Sequence, residues 1–537
     1  MLLVLLPDFL APAAHRRQRF PPLGPAVVAA CIASDRVRVR AIDLLLDQDL
    51  LAPNDDARDA FGDGERVLRW LHGQPDAGLE ALLDRTLAAL DAVGGRTADI
   101  VAVSVDRGSQ GAFALALTVE VKRRFGRRIV LGGVATQRIR EAMIQHGVVG
   151  ADVVTRASTP GDIAHVFEVA LALPEDRRGA PVEPIDQVVT LVRGGRQAAR
   201  AGTGWPMPDF SIYDLDRYCR DPLAPELAAD APYAGQLGRT LVLPYHFAFE
   251  CQFSCAFCQN GGTQENKPVD EVVRDLARLS ERWETREFVF FDTQINLLAP
   301  ALSQALLAAG LDLRWSDSYR VRPREPGDLE LMVRAGCASL TVGVESASDA
   351  VLKAMVKGHR SEHATELVRE AASLDVMLRV NLLSSYPGET RDDFQRTCDW
   401  IQAHAPAIDD IAPSSFYLTA DSPIGRDPER HGLRVRGPRS LGGTDKFRKV
   451  FDSLAYDEVG GVTWEEREPL LQQSEERLHA AWLRGRGALA QLPAFPPALM
   501  LALRRRFGRC AEARAEVRRW LNPRDPRTQP DALRTPP

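Results

Sequence analysis

Along this chain, short apolar runs alternate with longer stretches whose apolar residues recur every three or four positions. The alternation comes in two series. In the first, "LLVLL" (2–6), "VRVRAIDLLL" (37–46), "DIVAVSV" (99–105), "RIVLGG" (128–133) and "DVVT" (152–155) predict strands. Helical periodicity fills the gaps, from Pro25, from Glu65 to Ala92, Gly111 to Phe125, Arg138 to His146 and Pro160 to Leu173. Apolar strands separated by helices predict a parallel, doubly wound, Rossmann-like α/β sheet over residues 1–180. Ligands of such sheets bind beyond the carboxyl ends of the strands, where the strand order reverses. Residues 181–235, dense in Pro, Gly and Asp, read as a linker.

The second series occupies residues 236–428. Its strands are "RTLVLPYHF" (239–247), "EFVFFD" (287–292), "LDLRWSD" (311–317), "ASLTVGVE" (338–345), "VMLRVNLLS" (376–384) and "DDIAPSSFYL" (409–418). Helical segments between them include 269–283, 327–335, 361–373 and 391–404. Six βα units predict a (β/α)6 partial barrel, because the closed form has eight. Residues 429–537 turn helical, with an arginine-rich helix at 504–519 and a Pro-rich tail, and read as a helical C-terminal domain. Those arginines alternate with apolar residues, which is the pattern of a solvated amphipathic face rather than of a nucleic-acid contact.

Composition narrows the partners. The chain of 537 residues is 45% hydrophobic and 26% charged with a formal net charge of −6, which provides no general attraction to nucleic acid or to an anionic membrane. The apolar run after Met1 has no basic leader and stops at Pro7, so it reads as a buried first strand and not as a signal peptide. No apolar run approaches the roughly 18 residues of a membrane span. Eight cysteines in so long a chain make no disulfide framework, and a reducing cytoplasm is the expected compartment.

Three of those cysteines stand together in "ECQFSCAFCQN" (250–260), as Cys251, Cys255 and Cys258. Structural zinc takes four ligands, usually from paired C-x-x-C units, and only one such unit is present. Iron–sulfur clusters are held by thiolates, and three cysteines on a four-iron cube leave one iron open to a substrate or cofactor. Spacing alone leaves the cluster, zinc and reduced bystanders as alternatives. Position adds to it, since the cysteine loop follows the first strand of the barrel at the end where such barrels keep their active sites. Polar residues collect at the same end of the other strands: Asp292 and Asn296, Asp317 and Arg320, Glu345 and Ser346, Asn381 and Ser384, Ser415 and Tyr417. His15, His246 and His359 are potential ligands or proton carriers, although single histidines are more often surface or hydrogen-bonded core residues.

"CQFSCAFC", with Phe257 just before its last cysteine, resembles the C-x-x-x-C-x-x-C signature of the radical S-adenosylmethionine (SAM) superfamily. "GVESASDAVLKAMVKG" (343–358), "NLLSSYPGETRDDFQRT" (381–397) and "DIAPSSFYLTADSP" (410–423) resemble the barrel of its branch with an N-terminal cobalamin-binding domain. "PPLGPAVVAACI" (21–32), "VSVDRGSQGAFALAL" (103–117) and "VLGGVA" (130–135) are similar to that domain. The resemblance implies a [4Fe-4S] cluster on Cys251, Cys255 and Cys258 whose open iron chelates SAM. One electron, from a donor such as flavodoxin or ferredoxin, then yields methionine and a 5′-deoxyadenosyl radical. It further implies SAM contacts from Phe257, Glu345, Ser346, Asn381 and Asp292, and cobalamin contacts from Leu23, Gly24, Ser104, Gly132 and Gly133. The Gly-Glu motif usual after the second barrel strand is replaced by "FFDTQIN", and the D-x-H-x-x-G motif that supplies a histidine below cobalt is absent. The implied reaction is cobalamin-dependent methylation of an unactivated carbon in a small-molecule or peptide substrate. The alternatives are radical cyclisation or rearrangement without methyl transfer, and a non-catalytic iron–sulfur or structural zinc protein.

Overall fold

The structure is a computed structural model that describes residues 1–7, 20–34, 37–105, 110–133, 136–156, 159–173, 190–193, 204–219, 238–249, 251–259, 265–323, 327–438, 453–487 and 497–521. Most of the expected linker and the Pro-rich tail lie outside these residues. Contacts divide the chain into two units, Met1–Arg217 with Pro438–Ser453 and Tyr218–Gly437 with Leu454–Pro537.

The first unit is built on six strands, β1 (Leu2–Leu5), β2 (Arg40–Asp43), β3 (Ile100–Val105), β4 (Arg128–Gly133), β5 (Val153–Arg156) and β6 (Thr190–Arg193). They pair in parallel in the order β2-β1-β3-β4-β5-β6. The order reverses between β1 and β3, whose carboxyl ends are the place where doubly wound sheets bind ligands. Two details differ from the sequence expectation. The periodic stretch 65–92 is broken into Gly64–Leu71 and Ala77–Ala92, and a further helix, Asp55–Gly62, precedes it. Gly73 takes φ +89° and Asp76 caps the second helix through Leu79 N–H, so "HGQPDAG" stops one helix and starts another. The expected linker supplies β6, and its stretch 209–213 packs on the helix Leu23–Ile32, with Tyr213 Oη donating to Pro22 O at 2.9 Å and Asp209 N to Ala26 O at 3.0 Å.

In the second unit β7 (Val242–Tyr245) leads to a small hairpin of β8 (Ala248–Phe249) and β9 (Glu265–Asn266). The main sheet continues with β10 (Glu287–Phe290), β11 (Arg314–Arg320), β12 (Cys337–Glu345), β13 (Met377–Ser384) and β14 (Asp410–Ser415). The six long strands are parallel in the order β14-β13-β12-β11-β10-β7, with β7 and β14 as its edges. Pro244, which offers no N–H to a ladder, is tolerated in β7 because that strand pairs on one side only. The helices Val269–Trp283, Ser361–Ser373 and Arg391–His404 fall where the 3.6-residue period put them. Thr390 and Asp393 close a reciprocal capping box on the last of these.

Beyond β14 a three-stranded sheet joins β15 (Leu418–Thr419), β16 (Leu433–Pro438) and β17 (Ser453–Glu458) in the order β15-β17-β16. The long helix Trp464–Arg486 then packs on β14 and on the helix Arg391–His404. Trp482 Nε1 donates to Ile408 O at 3.2 Å, and Ser415 is held at both ends, its N–H on Glu475 Oε1 at 2.9 Å and its Oγ on Leu471 O at 2.7 Å. This helix covers the open edge that a six-stranded sheet leaves exposed. The helix Pro497–Phe507 lies against β10, β11 and β12. No helix among the described residues is long and apolar enough to cross a membrane.

Candidate active site

The cysteine loop departs from the carboxyl end of β7 and is fixed by hydrogen bonds at its entry, at Ala256 and within its last turn. Asp292, just past β10, accepts from Phe247 N at 2.9 Å and Ala248 N at 2.8 Å, anchoring the chain as it enters the loop. Ala256 N donates to Met355 O and accepts in turn through its own carbonyl from Ile424 N, both at 2.9 Å. Between the last two cysteines, Cys258 N donates to Cys255 O at 3.0 Å. Cys255 is buried, while Cys251 and Cys258 are half-buried. Among the described residues no three His, Cys, Asp or Glu side chains converge as ligands of a single metal ion.

A cationic shell surrounds Cys255. Arg320, at the end of β11, donates from Nη1 to Cys255 Sγ at 3.0 Å and lies 4.0 Å over the Phe253 ring. Its second nitrogen donates to the Lys357 carbonyl. Asn296 holds the Arg320 backbone reciprocally, accepting from its N–H at 2.8 Å and donating to its carbonyl at 2.9 Å. Lys357 Nζ in turn donates to Glu345 Oε1 at 2.7 Å and sits 5.6 Å from the Phe257 ring centre. Gly343 makes room for this pair, since a Cβ there would meet Glu345 Oε1 at 2.7 Å and Lys357 Nζ at 3.0 Å. Glu345 itself takes φ +67°, which turns the chain out of the ladder at the end of β12. His359 is buried beside these cations with neither ring nitrogen hydrogen-bonded. Burial, then Lys357 and Arg320, hold its pKa down at about 3, and the opposing Val344 backbone does not reach good hydrogen-bond geometry.

Of the residues expected to face SAM, the structure brings Phe257 and Glu345 together through Lys357. Asn381 lies in β13 opposite Gly343, half-buried, and its amide makes no hydrogen bond among the described residues. Ser346 and Asp292 are placed differently. Ser346 is fully buried, its Oγ 3.1 Å from Thr397 Oγ1 and accepting from Ser348 N at 3.1 Å. Asp292 faces Asp317 instead: each has one oxygen on backbone N–H groups and one buried oxygen, Oδ2, with no donor. Burial pushes Asp292 up to about 7, and burial with the Asp292 charge pushes Asp317 well above the carboxylate range. Sequence reasoning missed the partner roles of Arg320 and Lys357, and also Tyr386, whose pKa is raised to about 12 by burial and by Cys255. The polar rim was visible, but which rim residue touches which required the β11–β12 register.

At the switch point of the first unit, Ser104 of β3 is paired with Gly132 of β4, and Gly133 follows at the strand end opposite Val105. Gly133 has φ +116°, and a Cβ on it would lie 2.3 Å from Val105 O, so the backbone itself requires glycine. Gly132 differs, because a Cβ there would meet only Thr155 Cγ2 at 3.6 Å. Leu23 and Gly24 open the helix Leu23–Ile32, with nothing within 4 Å of where a Gly24 Cβ would stand. Gln110 Nε2 bridges to Leu6 O at 3.1 Å, tying the ends of the two central strands together.

Residues 245–401 match the sequence profile of the radical SAM superfamily. An uncharacterized methyltransferase of Pyrococcus horikoshii is 27% identical over 199 residues, 36% of this chain and 40% of that one. The ribosomal protein uS12 methylthiotransferase RimO of Chlorobaculum parvum is 27% identical over 219 residues, 36% of this chain and 49% of that one. The chain thus spans less than half the length of these curated relatives. Among solved structures, the radical SAM methyltransferase TsrM of Kitasatospora setae, with cobalamin and a [4Fe-4S] cluster bound, superposes with TM-score 0.53 at 15% identity, covering 89% of this chain and 88% of its own. The cobalamin-dependent SAM radical enzyme OxsB gives TM-score 0.55 at 12% identity, covering 97% of this chain and 78% of its own. The chain carries a radical SAM domain, and its fold is that of the cobalamin-dependent radical SAM enzymes.

Proposed function

We propose that this protein is a cobalamin-dependent radical SAM methyltransferase acting on an unactivated carbon of a small molecule or peptide. The observation that carries the reading is the three-cysteine loop at the carboxyl end of β7, backed by Asp292 and bordered by Arg320, Lys357 and Glu345. Cys251, Cys255 and Cys258 would hold a [4Fe-4S] cluster, which would supply the electron for reductive cleavage of SAM. Phe257 offers an aromatic face to the adenine, and Glu345 and Asn381 offer acceptors and donors to the polar groups of SAM. The roles of Ser346 and Asp292 are indirect, one holding the turn after β12 and the other the entry to the cysteine loop. Burial of Cys255 and the packed aromatic residues behind it limit water near the radical. Cobalamin, as methyl carrier, would lie at the switch point of the first unit, against Leu23, Gly24, Ser104, Gly132 and Gly133, where Gly132 leaves backbone open to a ligand. TsrM, which is similar in fold, has been solved with a tryptophan substrate, which supports a small aromatic or peptide-like substrate here.

Radical cyclisation or rearrangement without methyl transfer is the second reading, since the fold is shared with OxsB, a cobalamin-dependent SAM radical enzyme, and the fold alone does not specify methyl transfer. The test is anaerobically reconstituted protein with SAM, reductant and hydroxocobalamin, followed by mass spectrometry beside Cys255→Ala. Formation of 5′-deoxyadenosine by the wild type and its loss in the variant are expected. A reconstituted protein that neither binds nor cleaves SAM refutes the reading, and cleavage without any methylated product shifts it to the second.

A further inference from the structure

We propose that Arg320 tunes the reduction potential of the cluster, raising it through a charged hydrogen bond to the Cys255 sulfur. The inference rests on the proposed function, in that Cys255 ligates a cluster. Its geometry is that of a built site. The guanidinium is 3.0 Å from Cys255 Sγ, is stacked 4.0 Å over Phe253, and is tethered at its other nitrogen to the Lys357 carbonyl. Asn296 clamps the Arg320 backbone by two hydrogen bonds, at 2.8 and 2.9 Å, and the residue is only 9% exposed. So many constraints on one side chain hold a fixed positive charge against one cluster ligand, and little water screens it.

Reduction adds one electron, taken from an external low-potential donor, and no proton or bond changes place. The reduced cluster carries one more negative charge, so a cation on its thiolate stabilises the reduced form more than the oxidised one. Hydrogen bonds to cluster sulfurs and local charge are among the levers that set iron–sulfur potentials. Arginine suits this better than lysine because its planar fork serves the sulfur, the carbonyl and the aromatic face at once. Lys357, held by Glu345, is a neutralised neighbour by comparison.

The experiment is an EPR-monitored redox titration of reconstituted wild type, Arg320→Lys, Arg320→Gln and Arg320→Met, with iron and sulfide content measured on each. At a fixed potential the reduced-to-oxidised ratio should fall about tenfold in Arg320→Met, about 59 mV for a one-electron couple. Arg320→Lys and Arg320→Gln should fall between. A loaded Arg320→Met whose ratio stays within about twofold of wild type overturns the inference, because a scaffold role would alter loading and leave the potential alone. If Arg320→Met does not load, Arg320→Gln is read in its place, and an unchanged potential there overturns it equally. A wild type that takes up iron as no iron–sulfur cluster instead defeats the proposed function, and with it this inference.

Discussion

Asp317→Asn should stabilise the second unit at alkaline pH and leave it nearly unchanged in mild acid. Asp317 and Asp292 are each 2% exposed, and their Oδ2 atoms share no donor other than a proton on one of them. Asp317 is the group that keeps it, pushed far up by burial and by the Asp292 charge, while Asp292 accepts from Phe247 and Ala248 N–H. His246 Nε2 is 3.5 Å from Asp292 Oδ1, but burial lowers its pKa and so disfavours the imidazolium that would compensate the charge. In the unfolded chain Asp317 ionises near 3.9. Its folded pKa is raised, so its contribution is fully present below that value and is lost as pH rises toward the folded one. Each proton held by the folded state alone costs about 1.4 kcal/mol of stability per pH unit between the unfolded and the folded pKa; Asp292, lifted to about 7, adds its own proton below that pH in both proteins, so the difference between variant and wild type isolates Asp317. Asparagine mimics the protonated group: its Oδ1 still accepts from Ser318 N, 2.7 Å away in the wild type, and its amide donates where the proton did. Thermal unfolding of the full chain, read as variant minus wild type because two units need not melt together, should show a gap that widens as pH rises, by about 3–6 °C per pH unit at about 2–4 °C per kcal/mol. A gap that stays flat from about pH 5 to 8 would falsify the shared proton.

The remaining predictions concern individual contacts. Gly133→Ala should destabilise the first unit by about 2–4 kcal/mol, since φ +116° and a 2.3 Å approach to Val105 O leave no space. Gly132→Ala should melt like the wild type and weaken hydroxocobalamin binding in a spectroscopic titration; unchanged binding would remove Gly132 from the proposed site. Lys357→Met should cost about 3–5 kcal/mol by stranding the buried Glu345 carboxylate, and adding Glu345→Gln should recover much of it in chemical denaturation. Arg467→Ala should loosen the turn after β13, because Arg467 Nη1 donates to Ser385 O at 2.9 Å and its other nitrogen pairs with Glu458; faster amide exchange at Ser385–Glu389 is the readout.

Much of this was legible in the chain because strong periodicities carry information locally. The helix Ser361–Ser373 and the strand Arg128–Gly133 have the bounds that their apolar spacing and flanking turn residues predict. The cysteine triplet was visible for the same reason, since all its information lies within eight residues. What was not legible depends on pairing between distant segments. β6 is a four-residue strand inside a Pro-rich stretch, and only its register with β5 gives it a sheet to join. Asp292 looked like a cofactor contact by position, yet its partners Phe247 and Ala248 belong to another strand's exit. Gly132 and Gly133 are adjacent and identical in composition, but only one of them is demanded by the backbone. Local pattern cannot separate two such glycines; a distance to Val105 O does.

The helical segment after residue 460 shows how an incomplete barrel can hold a precise site. Six strands leave two edges, and the C-terminal end of an edge strand is where backbone is least constrained. Here the helix Trp464–Arg486 fastens the end of β14 through Glu475 and Leu471 and the turn after β13 through Arg467. Glu389 reinforces the same turn, accepting from Ser385 N at 2.6 Å, and burial lifts its pKa to about 7. The turn carries Tyr386, which abuts the cysteine loop through Phe416 and the Ala354 carbonyl. A chain of contacts therefore runs from the helix to the floor of the cysteine site without any added strand. Closing the ring with two more strands would fix the same loops, but it would also narrow the opening at this end of the sheet. Bracing the β14 edge with a helix holds the turn after β13, whose Tyr386 reaches toward the cysteine loop from the far side of the sheet, and leaves the ring open.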